Sequence, residues 1–207
     1  MGEHDFETTS SELLHSGKIF ALRIDQVRMP DGTVKAREVV EHFGAVAIVA
    51  MDKHGRIPLV YQYRHPFGRR LRELPAGLLD VGDETPQLAA ARELREEAGL
   101  TAETWQVLVD LDSEPGFSDE SVRIYLATEL TEVDKPEAHD EEADMTMDWY
   151  SIPEAVRRIF SGDIVNSLAV SGILAAYAVT EGLAEPRPVD APWTDRPTAF
   201  AARKASG

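Results

Sequence analysis

The chain of 207 residues contains no cysteine. That excludes a disulfide framework and thiolate metal sites, and it fits a reducing compartment. The sequence also lacks any apolar run of membrane-spanning length, and its opening, MGEHDFETTS, lacks the basic and apolar regions of a secretory leader. The expectation is a cytoplasmic protein that makes no use of a membrane. Positive charge is scarce: 21 Lys and Arg stand against 37 Asp and Glu, for a net charge of -16. This argues against a nucleic-acid partner, because binding phosphates along a strand takes clustered Lys and Arg. What remains for metal ligation is carboxylate, backbone oxygen and six histidines. An anionic ligand on so acidic a chain calls for a bridging cation.

The length allows one substantial core, or a domain of about 150 residues with a smaller appendage. Residues 18 to 28, KIFALRIDQVR, partly alternate and are followed by the turn-like Met29-Pro30-Asp31-Gly32 and then TVKAREVVEH, which predicts a hairpin. AVAIVAM at 45 to 51 and IPLVYQY at 57 to 63 are apolar and rich in β-branched residues; joined by Asp52-Lys53-His54-Gly55, they predict a second hairpin. Further strands are expected near 104 to 112, 121 to 129 and 144 to 150, with an amphipathic segment near 153 to 160 and a helix over about 166 to 181. The Pro-rich tail from 182 reads as irregular, with Trp193 and Phe200 as its packing residues. Strands on both sides of one central helix, with more helix at the end, imply an α/β sandwich.

The central helix carries the chemistry. Thr85 is a good N-cap, Pro86 suits the first helical position, and Gly99 suits the left-handed position past the end, so the helix is predicted over 86 to 98. Glu93 and Glu97 fall at i,i+4 on one face with Glu96 beside them. Like charges at that spacing cost roughly 0.2 to 0.5 kcal/mol per pair in an exposed helix, and these also crowd the negative end of its dipole. Arg92 and Arg95 offer one compensation, as a solvated salt-bridge face; a bound cation offers another. Ahead of the helix, Leu74-Pro75-Ala76-Gly77 brings a glycine that permits close backbone approach and a carbonyl able to face a cation. Oxygen donors of this kind suit Mg²⁺ or Mn²⁺ shared between carboxylates and substrate phosphates.

Residues 77 to 100, GLLDVGDETPQLAAARELREEAGL, resemble the Nudix box. Gly77, Glu84, Arg92, Glu93, Leu94, Glu96, Glu97, Gly99 and Leu100 supply its positions. Six residues separate Gly77 from Glu84, one more than the family's usual spacer, and the insertion is placed in the loop because the spacing from Glu84 to Arg92 is then regular. The resemblance implies a Nudix α/β/α sandwich with a mixed sheet. It implies that Glu93, Glu96, Glu97 and the Ala76 carbonyl hold Mg²⁺, with Mn²⁺ as an alternative and roughly two or three ions per site, and that Glu84 pairs structurally with Arg92.

Three further features resemble the ADP-ribose pyrophosphatase branch. They are Tyr61-Gln62-Tyr63-Arg64 ahead of Glu73-Leu74-Pro75-Ala76-Gly77, the stretch Pro115-Gly116-Phe117-Ser118-Asp119-Glu120, and a small N-terminal antiparallel sheet. That resemblance implies a homodimer in which an N-terminal β-sheet domain, residues 1–43, is exchanged between subunits, and a Nudix domain over 44–207 carrying a C-terminal helix and tail. The implied reaction is hydrolysis of ADP-ribose, a small nucleoside diphosphate sugar, to AMP and ribose 5-phosphate. Arg64 and Arg37 are candidates for the diphosphate, Glu120 for a ribose, and Ile19 or Phe20 for contact with adenine. Phe20 also reads as a core residue and Arg37 as an ordinary exposed strand residue. The implied general base lies in the acidic stretch HDEEAD, residues 139 to 144, with Glu142 the first choice and Glu141 the second. Other Nudix substrates (GDP-sugars, dinucleoside polyphosphates, oxidised nucleotides) form one alternative. A module that binds ADP-ribose without hydrolysing it is another, disfavoured because a pure binder has no need of an acidic cluster that repels its ligand.

Overall fold

The computed structural model describes residues 4–135 and 144–205. Two compact units emerge. One is drawn from residues up to 44, from 112–121 and from 194 onward; the other comprises 45–111 and 122–193.

In the first unit, β1 (Thr8–Ser16), β2 (Phe20–Arg28) and β3 (Val34–His42) form an antiparallel sheet in that order. The predicted hairpin is there, with Phe20 opposite His42 and Arg28 opposite Val34 around Gly32, whose φ is +80°. β1 was not expected: TTSSELLHS shows no alternation, and the whole strand is exposed. The tail supplies α4 (Ala199–Ala205), whose Phe200 is fully buried with its ring 4.5 Å from Phe43.

The second unit has two sheets. The larger is mixed, in the order β11 (Arg187–Pro188), β8 (Leu100–Asp112), β9 (Ser121–Glu132), β4 (Ala45–Ala50), β7 (Ala76–Leu78). β4 runs parallel to β9 and antiparallel to β7. Every residue of β4 is buried, because both its faces are covered. Ala45, Ala47 and Val49 join Val122, Ile124 and Leu126 in a core with α2 (Ile152–Phe160) and α3 (Ser167–Thr180). Val46, Ile48 and Ala50 face the other way, with Tyr125 and Ala127, onto Ala89, Ala90, Leu94 and Ala98 of α1 (Pro86–Ala98). This is the mixed α/β sandwich with helices on opposite faces, accompanied by a small antiparallel N-terminal sheet.

The smaller sheet has the order β10 (Thr146–Ser151), β5 (Arg56–Arg64), β6 (Arg69–Glu73). Here the structure corrects the second hairpin. β4 and β5 are consecutive yet sit in different sheets. The turn forms as the sequence implies, with the Asp52 carboxylate accepting the N–H groups of His54 and Arg56. However, both edges of β4 are occupied, by β9 on one side and by β7 with the Pro75 carbonyl on the other. β5 therefore pairs with β10 and β6. The tail is also less irregular than its prolines imply. Arg123, 4 % exposed, ion-pairs with Asp110, donates to the carbonyls of Ala191 and Pro192, and lies over the Trp193 ring.

Candidate active site

α1 begins and ends where local chemistry dictates. The Thr85 hydroxyl accepts the Leu88 N–H, Pro86 opens the first turn, and Gly99 closes the helix at φ +65° with its N–H on the Arg95 carbonyl. Leu94 and Ala98 bury one flank of the helix, and this draws the adjacent Glu93 and Glu97 inward until both are buried as well.

These carboxylates meet the loop that follows β6. Glu97 Oε2 accepts the Ala76 N–H at 2.9 Å. Glu93 lies so close to Gly77 that a Cβ built there would sit 2.0 Å from Oε1 and 2.1 Å from Cδ. Gly77 is thus the one residue type that lets the Glu93 carboxylate lie against this backbone. β7 holds the loop in turn, with Ala76 opposite Ala47 and Gly77 opposite Val46.

Arg92 organises the acids around itself. Its Nε and Nη2 donate to the two oxygens of Glu84 at 3.2 and 3.1 Å, while Nη1 donates to Glu93 Oε1 at 2.5 Å and Glu96 Oε2 at 3.3 Å. Burial would by itself lower the guanidinium pKa, but the Glu84 hydrogen bonds and the charge of Glu93 outweigh it, and the pKa rises above its ordinary value. Much of the compensation for the crowded acids comes from this one side chain. Lys135 adds to it, donating to the Glu97 carbonyl at 2.6 Å and so placing an ammonium at the negative end of the helix. Ahead of Glu84 the loop makes a turn in which the Glu84 N–H reaches the Val81 carbonyl and Asp83 adopts φ +64°.

Among the described residues, no group of three or more acidic or histidine side chains is arranged as a metal cage. The donor chemistry nevertheless fits a hard divalent ion. Two buried carboxylates share one helix face beside a backbone loop that only glycine could bring so near, and a third carboxylate, Glu96, stands one turn from Arg92.

The remaining expected site residues fall in different places. Arg64, at the end of β5, clamps the 3 %-exposed Glu73 with Nε and Nη2 at 3.0 and 2.6 Å, and Gln62 also donates to Glu73. Glu73 entered the sequence reading only as part of the Glu73–Gly77 motif; its position in RRLRE, two after buried Leu71, puts this acid on a core-facing register. Lys135 gave no comparable local signal. In the first unit, Arg37 is exposed and donates to the Ala36 carbonyl, while Ile19 and Phe20 are 51 % and 38 % exposed, so Phe20 is not a core residue. Glu120 Oε1 lies 3.4 Å from His42 Nδ1. Burial pushes the neighbouring Asp119 carboxyl up from its ordinary range. Glu141 and Glu142 lie outside the described residues.

Comparison with known proteins accords with this geometry. Residues 41–166 match the NUDIX domain model, and residues 6–40 match the nucleoside diphosphate sugar hydrolase N-terminal domain. An ADP-ribose pyrophosphatase of Mycobacterium tuberculosis is 73% identical, over 99% of each chain. Another, from Bacillus subtilis, is 35% identical over 84% of this chain and 90% of its own length. A crystal structure described as an ADP compounds hydrolase superposes with a TM-score of 0.74, covering 89% of this chain and 100% of that one; at 17% identity it speaks for the fold alone. With the box on a capped helix packed on one face of the mixed sheet and the family model spanning more than half its length, the chain belongs to the Nudix hydrolase family, in its ADP-ribose pyrophosphatase branch.

Proposed function

We propose that the protein hydrolyses ADP-ribose to AMP and ribose 5-phosphate in a Mg²⁺-dependent reaction, with Mn²⁺ as the alternative ion. The observation that carries the chemistry is the pair of buried carboxylates, Glu93 and Glu97, fixed against the Ala76–Gly77 backbone. The choice of substrate is supported by the 73% identical ADP-ribose pyrophosphatase, whose likeness extends over 99% of both chains.

In this reading Glu93, Glu97 and the Ala76 carbonyl would hold the cations, roughly two or three of them, with Glu96 as a further ligand; such ions would supply neutralisation of the diphosphate and a lower pKa for an attacking water. Arg92, locked to Glu84, keeps the helical acids in one arrangement. Glu142, or failing it Glu141, takes the proton as the water oxygen bonds to phosphorus and one P–O bond of the anhydride breaks. Arg64 and Arg37 meet the diphosphate, Glu120 a ribose, and Ile19 or Phe20 the base.

The test is incubation with ADP-ribose and Mg²⁺, with and without chelator, following AMP. Chelator-sensitive AMP release is expected from the wild type. Glu142→Gln should lower kcat by about two or more orders of magnitude while metal and substrate still bind. No chelator-sensitive AMP release overturns the substrate assignment, and undiminished turnover by the variant removes Glu142 from the mechanism. The match of residues 6–40 to a nucleoside diphosphate sugar hydrolase module favours a second, broader reading, in which another such sugar is the preferred substrate. Product analysis over a small substrate panel separates the two.

We further propose that residues 1–43 are a β-sheet domain exchanged in a homodimer, that 44–207 form the hydrolase domain, and that the enzyme works in the cytoplasm. Exposed apolar residues of the N-terminal sheet and of the bend between its first two strands, Leu13, Leu14, Phe20 and Ile19, support the dimer. No described helix is long and apolar enough to cross a membrane. Sedimentation at the dimer mass is expected; a purely monomeric profile contradicts the exchange.

A further inference from the structure

Glu41, on β3, is 2 % exposed and receives three charged hydrogen bonds. Arg203 of α4 donates Nε at 2.8 Å and Nη2 at 2.7 Å, and Arg23 of β2 donates Nη1 at 2.5 Å. Two residues along, Phe43 packs on the fully buried Phe200 of the same helix. α4 therefore grips the chain on both sides of His42.

His42 in turn addresses the loop carrying Glu120. Its backbone N–H donates to Asp119 Oδ1 at 2.8 Å, while its ring nitrogen Nδ1 accepts the Gly44 N–H at 3.2 Å and lies 3.4 Å from Glu120 Oε1. The same strand meets the loop through its backbone, with the Val40 N–H on the Phe117 carbonyl at 2.7 Å and the Asp119 N–H on the Val40 carbonyl at 3.1 Å. Glu120 and the segment from Asp195 to Ala199 that leads into α4 line a common cleft of about 420 Å³.

We propose that Arg203 is a positioning residue for Glu120: by fixing Glu41 it holds β3 at Val40 and His42, and the backbone of β3, bonded to Phe117 and Asp119, sets the loop that presents the Glu120 carboxylate for its contact with substrate. The inference rests on the proposed role of Glu120 in recognition. It makes the C-terminal helix part of the substrate-binding apparatus, with no part in the chemical step. A buried carboxylate held by two guanidinium groups is costly to disturb, and this makes the grip stiff enough to transmit position.

The test is a set of variants, Arg203→Met, Arg203→Lys, Glu120→Gln and the Arg203→Met/Glu120→Gln double, assayed with ADP-ribose and Mg²⁺. Amide hydrogen exchange over residues 117–120 is followed in parallel. Arg203→Met should raise KM about five- to twentyfold with kcat within about twofold. Arg203→Lys, which retains the charge and carries the test if the methionine variant does not fold, should recover part of the KM. The double variant should be no worse than Glu120→Gln alone, and exchange at 117–120 should quicken in Arg203→Met. An unchanged KM in the Arg203 variants, an unchanged KM in Glu120→Gln, or fully multiplicative effects in the double overturns the proposal. If the wild type releases no AMP, the functional reading has failed by itself. Exchange then decides: faster at 117–120 supports the positioning role, unchanged overturns it.

Discussion

Gly77 and Glu93 share space that would otherwise hold a single side chain. A methyl at 77 would lie 2.0 Å from the Glu93 carboxylate, so one of the two must move. Gly77→Ala should cost about 2 kcal/mol through overpacking. The effect on activity should be larger, a fall in kcat/KM of about 10² or more, because displacement by an ångström is enough to spoil catalytic geometry. Thermal melting and steady-state kinetics check both, and an alanine variant with wild-type activity would show that Glu93 need not touch this backbone. At this scale much was legible in the sequence. Gly77, Arg92, Glu93 and Glu97 stand at spacings that only a particular loop and helix face make meaningful. The pairings of Glu73 and Lys135 were not legible. Glu73 stands in a motif, but its clamp by Arg64 forms only across the strand pair, and Lys135 reaches α1 from 38 residues away.

Among the elements, α1 was the most readable because everything that bounds it is local: a hydroxyl, a proline and a glycine within or beside the helix. Its stability is less local. The acids near its C-terminal end crowd the negative pole of the dipole, and Lys135 supplies the opposite charge there. Lys135→Met should therefore cost about 1 kcal/mol, or about 2 to 4 °C in melting temperature for a chain of this size. A melting curve indistinguishable from wild type would assign the helix end to Gly99 alone. The pairing of β5 was misread from the same kind of local evidence that served α1 well. The Asp52–Gly55 turn is real, yet a turn determines only where a chain reverses, and the neighbours of β4 come from residues 75–78 and 122–127. β1 escaped notice because a fully exposed strand has no buried face to impose alternation.

For the molecule as a whole, carboxylates outnumber bases, and several of them are ones whose ionised form the fold depends on. The Arg203 hydrogen bonds, with the one from Arg23, hold the Glu41 carboxyl below its ordinary value of 4.5, despite burial that opposes this. The Arg158 hydrogen bond does the same for Asp163. A carboxyl with a depressed folded-state pKa favours the native state fully above its unfolded pKa, and that contribution disappears as pH falls through the folded value. Stability should thus hold down to about pH 4.5 and drop steeply below it. Denaturant midpoints measured between about pH 6 and 3 check this. Glu41→Gln should flatten the acid limb even while lowering stability at neutral pH, and an equally steep limb would place the acid lability elsewhere. The joining of α4 to the first sheet was beyond reading from sequence, since Glu41 and Arg203 lie 162 positions apart with nothing local to pair them.

That separation also has a temporal meaning. At typical rates of protein synthesis, Arg203 is added to the chain about 8 to 32 s after Glu41. For that interval the carboxylate has only Arg23 as a cationic partner, while the start of β2 and the bend before it expose Phe20 and Ile19. The nascent sheet must therefore persist as an unfinished, sticky edge before its lock is made, and this is the stage at which a growing chain is most open to capture by a neighbour.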